Sequence, residues 1–281
     1  MKYLSVVIGV LLAWVMVVCT QTVVAQEGVG AEVLIERTYA IADVDALSIG
    51  GRGTMEITFG DQERLEITAG KRVLERIKVD AKGNELRIHH KAKFWGGNDY
   101  GRLSDKTHYR LVLKRLHKIN VSGVMSVAVA AGIKSRHVTL NMSGSSVINI
   151  ADLAHVEHLS VNTSGPSELS IGGASLNVLS LQMSGPTRVE LAGKTAQAKI
   201  NMSGPSKLLA AAFKASQASV GMSGPSNATL TVEQALNASL SGLAKLDYYG
   251  EAKVQSNVTG SSHVRHLSAE SAMVNKAQKD Y

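Results

Sequence analysis

Ser203 lies in the stretch NMSGPSKLLA (residues 201–210), between a Met and a Gly and three residues before a second serine. A serine exposed on a Gly-flanked turn is the usual setting for a nucleophile, which an adjacent base would activate for acyl transfer. The same pair, however, recurs at Ser122-Gly123, Ser143-Gly144, Ser164-Gly165, Ser184-Gly185, Ser203-Gly204, Ser223-Gly224 and Ser241-Gly242, with Thr259-Gly260 as an eighth copy. The steps are 21, 21, 20, 19, 20, 18 and 18 residues. One catalytic serine needs one special environment, which eight evenly spaced copies cannot all have. The period is that of an architecture.

Other reactive side chains lead to the same conclusion. His155/His158 and His263/His266 have the i, i+3 spacing of a helix face, but on strands the members of each pair point to opposite sides. No acidic partner with metal-site spacing accompanies them, so no metal site is expected. Met142, Met183, Met202 and Met222 fall at one aligned position, where a thioether site competes with a buried methionine stack; the inward phase favours the stack. No phosphate loop, dinucleotide fingerprint, nucleophile elbow or zinc motif occurs, and no cofactor is expected. Glu168, Arg188, Lys207, Asn227 and Lys245 form a mixed-charge column four residues after the serine. It is expected to be a solvated face and not the acidic cluster a polysaccharide-cleaving enzyme would need.

The elements that carry these residues follow from the alternation around each corner. One residue before the serine stand Val121, Met142, Thr163, Met183, Met202, Met222, Leu240 and Val258; three before stand Ile119, Leu140, Val161, Leu181, Ile200, Val220, Ala238 and Ser256. Between them lie polar residues, mostly amides: Asn120, Asn141, Asn162, Gln182, Asn201 and Asn257, with Gly221 and Ser239 in the remaining copies. A period of two marks a half-buried strand, and the outward amides form a candidate side-chain ladder. A second alternating strand follows each Gly. All four prolines, Pro166, Pro186, Pro205 and Pro225, come directly after corner glycines, where a missing N–H costs no sheet hydrogen bond.

A unit of about 20 residues cannot bury its own apolar side, but stacked units can. The expected fold is all-β: a right-handed parallel β-helix, or solenoid, in which eight coils about 4.8 Å apart make a rod of about 35–40 Å. Ser143, Gly144, Ser164, Gly165, Ser184, Gly185, Ser203, Gly204, Ser223 and Gly224 are its structural corners.

Outside the repeats the chain divides further. Residues 1–25, an apolar run after Lys2 ending in Val23-Val24-Ala25, have the form of a cleaved secretory signal peptide. Acylation at Cys19, the one cysteine, is a second and weaker route to a membrane. Residues 31–115 are expected to form an N-terminal β-strand region continuous with the solenoid, 116–266 the repeat β-helix, and 267–281 a polar C-terminal tail. Residues 93–108 gather Phe94, Trp95 and Tyr100 in a chain that is only 4% aromatic, which makes them a candidate ligand-contact loop or, equally, an end cap. The net charge of +7 is scattered and forms no tract for nucleic acid.

Three features in this order resemble the bacterial head GIN-domain family, also labelled auto-transporter adhesins: the strand region ALSIGGRGTMEITFGDQERLEI through NELRI, the serial Ser-Gly corners, and the closing LDYYGEAKVQSNVTGSSHV. The likeness spans about residues 38–266, and the chain departs from it where Pro follows the corner Gly. The resemblance implies an exported β-helical protein of Bacteroidetes-like bacteria, with no catalytic residues to carry over. The function expected is therefore an exported, non-catalytic binding or adhesion module at the cell envelope, its partner an envelope polysaccharide or a protein. The alternative is a carbohydrate-active enzyme built on a β-helix.

Overall fold

Because apolar and polar residues alternate so regularly, each strand turns one face inward, and strands of one period can stack only in register. The computed structural model describes residues 18–24, 34–90, 106–130, 132, 133, 135–153 and 155–268. Before the regular repeats come β1 (Val18–Val24), β2 (Leu34–Ala40), β3 (Ala46–Phe59), β4 (Arg64–Gly70), the single-turn α1 (Lys71–Leu74), β5 (Ile77–Lys82), β6 (Glu85–His90) and β7 (His108–Leu113). The coils continue with β8 (Lys118–Val129), β9 (His137–Met142), β10 (Val147–Ile150), β11 (His158–Ser164), β12 (Glu168–Ile171), β13 (Ser175–Ser184) and β14 (Arg188–Leu191). They end with β15 (Gly193–Ser203), β16 (Lys207–Ser223), β17 (Asn227–Leu240), β18 (Lys245–Tyr249), β19 (Lys253–Val258) and β20 (His263–His266).

These strands form a parallel β-solenoid, as the repeat predicts. On the near side of the corner, β9, β11, β13, β15, the second half of β16, the second half of β17, and β19 pair in parallel, one after another. On the far side, β10, β12, β14, the first halves of β16 and β17, β18 and β20 do the same. Registers are exact at the motif: Ser184 pairs with Ser203 and Ser203 with Ser223. Leu140, Val161, Leu181, Ile200 and Val220 therefore lie in one inward column, each at most 3% exposed.

Two features of the N-terminal half reach beyond the repeat. β3 pairs with β8 from Ala46–Lys118 to Ile57–Val129, which sets Gly50-Gly51 on Ser122-Gly123; it is a further coil whose corner lacks the serine. β6 and β7 then pair in parallel with the two halves of β3. The coil they form lies beyond β3 although it comes later in the chain.

Candidate functional site

The corner needs glycine for two reasons. Gly204 has φ +71°, a left-handed conformation that a Cβ makes costly, and a Cβ there would come 3.3 Å from the backbone N of Gly185 in the adjacent coil. Ser146, Ser167, Thr187, Ser206 and Ser226 line the inside of successive bends and are at most 3% exposed. Among the described residues the Oγ atoms of Ser146, Ser167, Thr187 and Ser206 have no hydrogen-bond partner, so their small size and not their polarity suits them to the bend.

The outer surface beside the corners is concave. A groove of ≈ 840 Å³ runs along the solenoid axis, from Ser48 to the coil that ends in Ser223. One wall is the amide column Asn120, Asn141, Asn162, Gln182 and Asn201, ending at Gly221; the other is the corner serines from Ser122 to Ser223. Seven coils at about 4.8 Å give it a length of about 30 Å. The amides form the expected ladder: Asn141 Nδ2 donates to Asn120 Oδ1 at 2.7 Å, and Asn162 Nδ2 to Asn141 Oδ1 at 2.9 Å. An amide that donates one N–H and accepts on one lone pair keeps a second of each, so the ladder is rigid and still presents donors and acceptors outward. Ser164 Oγ donates to Met142 O at 3.4 Å and Ser184 Oγ to Thr163 O at 3.5 Å, which fixes the opposite wall. Among the described residues, none that lines the groove is ionisable.

The corner serines are thus brought together, five of them (Ser143, Ser164, Ser184, Ser203 and Ser223) along one edge, with Gly144, Gly165, Gly185, Gly204 and Gly224 turning the chain behind them. Ser203 is exposed and faces amides and backbone, with no base in the groove. Met142, Met183, Met202 and Met222 are buried, as the stack requires. Glu168, Arg188, Lys207, Asn227 and Lys245 do form one column, and Arg188 Nε lies 3.4 Å from Glu168 at the surface. The histidines pair differently from their spacing: His137 stacks on His158 from the neighbouring coil, with ring centroids 4.6 Å apart. No cluster able to hold a metal ion occurs among the described residues. Cys19 lies in β1, opposite Tyr39 of β2, and this strand falls within the expected leader. Phe94, Trp95 and Tyr100 lie outside the described residues. His90, the last described residue before them, packs its ring against Gly51.

The groove itself was hidden from the sequence. The amide and serine columns were visible, but the concavity between them depends on how sharply the backbone bends.

A family described as "Putative auto-transporter adhesin, head GIN domain" matches residues 43–178 and 154–252. The chain belongs to this family. Among solved structures, a putative adhesin from Parabacteroides merdae is similar over 85% of this chain and 97% of its own, with a TM-score of 0.72 and 17% identity. A putative adhesin from Parabacteroides distasonis gives a TM-score of 0.71 at 16% identity, covering 85% and 98% of the two chains. A protein from the same species described as a putative lipid binding protein gives 0.66 at 16% identity, over 83% and 96%. At these identities the likeness is one of fold. No curated protein matches the chain.

Proposed function

We propose that this chain is an exported, non-catalytic binding module of the bacterial cell envelope, and that its axial groove holds an extended, uncharged polar polymer. The observation that carries the reading is the groove: long, walled by amides and hydroxyls, and free of ionisable side chains among the described residues. A polymer laid along it meets the same donors and acceptors at every coil, so many weak contacts of about 0.5–1.5 kcal/mol each sum to useful affinity. Membership of an adhesin head family supports a binding role. Neutral glycans fit better than acyl chains, whose burial needs apolar walls. The carbohydrate-active alternative requires a pair of carboxylates flanking the bond to be cut, and none lines the groove among the described residues.

Phe94, Trp95 and Tyr100 belong to the same reading as stacking residues for sugar rings at the Ser48 end, because His90, the last described residue before them in the chain, lies beside Gly51 at that end.

The test is a panel of neutral polysaccharides, acidic polysaccharides and lipid vesicles, assayed for binding and for product release. Binding to neutral polymers that changes little with salt, without new reducing ends, is expected, since uncharged contacts are not screened. Released product would overturn the non-catalytic reading. Binding confined to acidic polymers or vesicles would overturn the groove as the site. Replacing the three aromatics with Ala weakens binding if they take part and leaves it unchanged if they only close the end.

A further inference from the structure

The last coil carries a pattern that the other coils do not show. Among the described residues, β19 is hydrogen-bonded only to β17, and β20 only to β18. Register places Val254, Ser256 and Val258 over Leu236, Ala238 and Leu240, which are all buried. Val254 and Val258 are nevertheless 37% and 40% exposed, and among the described residues no further coil covers their inward side.

The backbone of β19 shows which groups are left open. The Thr259 N–H donates to Leu240 O at 2.9 Å, toward β17. Backbone groups alternate sides along a strand, so Asn257, Gln255 and Lys253 also turn toward β17, while Val254, Ser256 and Val258 turn their N–H and C=O outward. The three open residues are symmetric about Ser256. An identical strand, antiparallel and related by a two-fold axis through Ser256, sets Val254 against the partner's Val258 and Ser256 against the partner's Ser256. Each of these opposed pairs exchanges two backbone hydrogen bonds. The valines cover one another on the core side. On the outer side, Gln255 meets the partner's Asn257, two amides that each donate and accept. Lys253 meets the partner's Thr259 and not another cation. Moving the register by two residues sets valine against serine, so the apolar pattern selects this one alignment.

We propose that the C-terminal coil is a self-association surface, and that two copies join through β19 in antiparallel register centred on Ser256. The axis stands perpendicular to the sheet that carries the amide ladder, so both grooves open on the same side of the dimer. If the groove binds polymer as proposed above, one dimer engages a polymer surface at two places, which raises avidity without any new contact. The association itself does not depend on that reading.

The test uses the full chain with Cys19→Ser, carrying either Gln255→Cys or Asn257→Cys. These two positions form a non-hydrogen-bonded pair, with Cα atoms about 4.5 Å apart, within reach of a disulfide. Mild oxidation of the mixture is expected to give a covalent dimer, and oxidation of either variant alone is not. Light scattering is expected to give twice the chain mass for the unsubstituted protein and the chain mass for Val254→Asp/Val258→Asp, with unchanged circular dichroism. A monomer at all concentrations, with no cross-link in the mixture, overturns the proposal. Cross-linking of either variant alone overturns the register. If the mixture cross-links only after residues 269–281 are removed, the coil is covered within one chain and the proposal fails. All readings are taken without ligand, so failure of the groove reading leaves this outcome separate.

Discussion

At the N-terminal end of the solenoid the strands reverse direction: β5 runs antiparallel to β6, β4 to β7, β2 to β4 and β1 to β2. The turn of helix α1 adds Val73 and Leu74, 0% and 2% exposed, to the core at the same end. At the C-terminal end β19 and β20 keep the parallel direction to the last described coil, and the side chains that continue the core columns are left exposed. The contrast shows how a solenoid is terminated. A parallel coil is a template for another coil, and stacking stops where direction, covering or charge breaks the pattern. The first end is blocked by reversed strands. The second is left in a form that a copy of itself can complete.

The largest effect that sharpens this contrast is in stability. Leu74→Ala at the closed end is expected to cost about 2–5 kcal/mol, the range for removing a buried leucine side chain. Val258→Ala at the open end is expected to cost well under about 1 kcal/mol when measured on dilute protein, since much of that side chain is already in water. Denaturant unfolding of the two variants checks this, and equal losses would mean that the ends are equally closed.

A smaller effect concerns pH. His90, at the closed end, packs against Gly51 and lies 3.4 Å from the Tyr109 hydroxyl. Burial, helped by the neighbouring His89, lowers its pKa below the usual 6.5. The folded protein therefore binds this proton less readily than the unfolded chain. The stabilisation is complete above pH 6.5 and is lost as pH falls from there through the lowered folded-state value. His90→Gln is expected to flatten the stability profile over that window. Thermal midpoints of this variant and of the unsubstituted chain at a series of pH values check it.

Much of the regular part was legible in the residues themselves. A serine or threonine, a glycine and an inward residue, methionine in four of the eight copies, recur once per coil, and sterics constrain each place. The coil made by β3 was missed because its corner, Gly50-Gly51, carries no serine to mark it, although Leu47, Ile49, Met55 and Ile57 alternate as in every other coil. The place of β6 and β7 beyond β3 could not be read from any local period, because it depends on pairing with a strand some forty to fifty residues earlier. The Asn120–Asn141–Asn162 ladder was foreseen from residue type and spacing. The groove beside it arises from backbone curvature, which no single residue announces.

The central claim is that the groove between the amides and the corner serines is where the protein binds. Ser164→Tyr and Ser203→Tyr place a bulky ring on an exposed wall of that groove without touching the core. If the claim holds, binding to the best neutral polymer of the panel falls at least tenfold in the double variant, while its thermal midpoint and circular dichroism stay those of the unsubstituted chain. Undiminished binding by a folded double variant would contradict it.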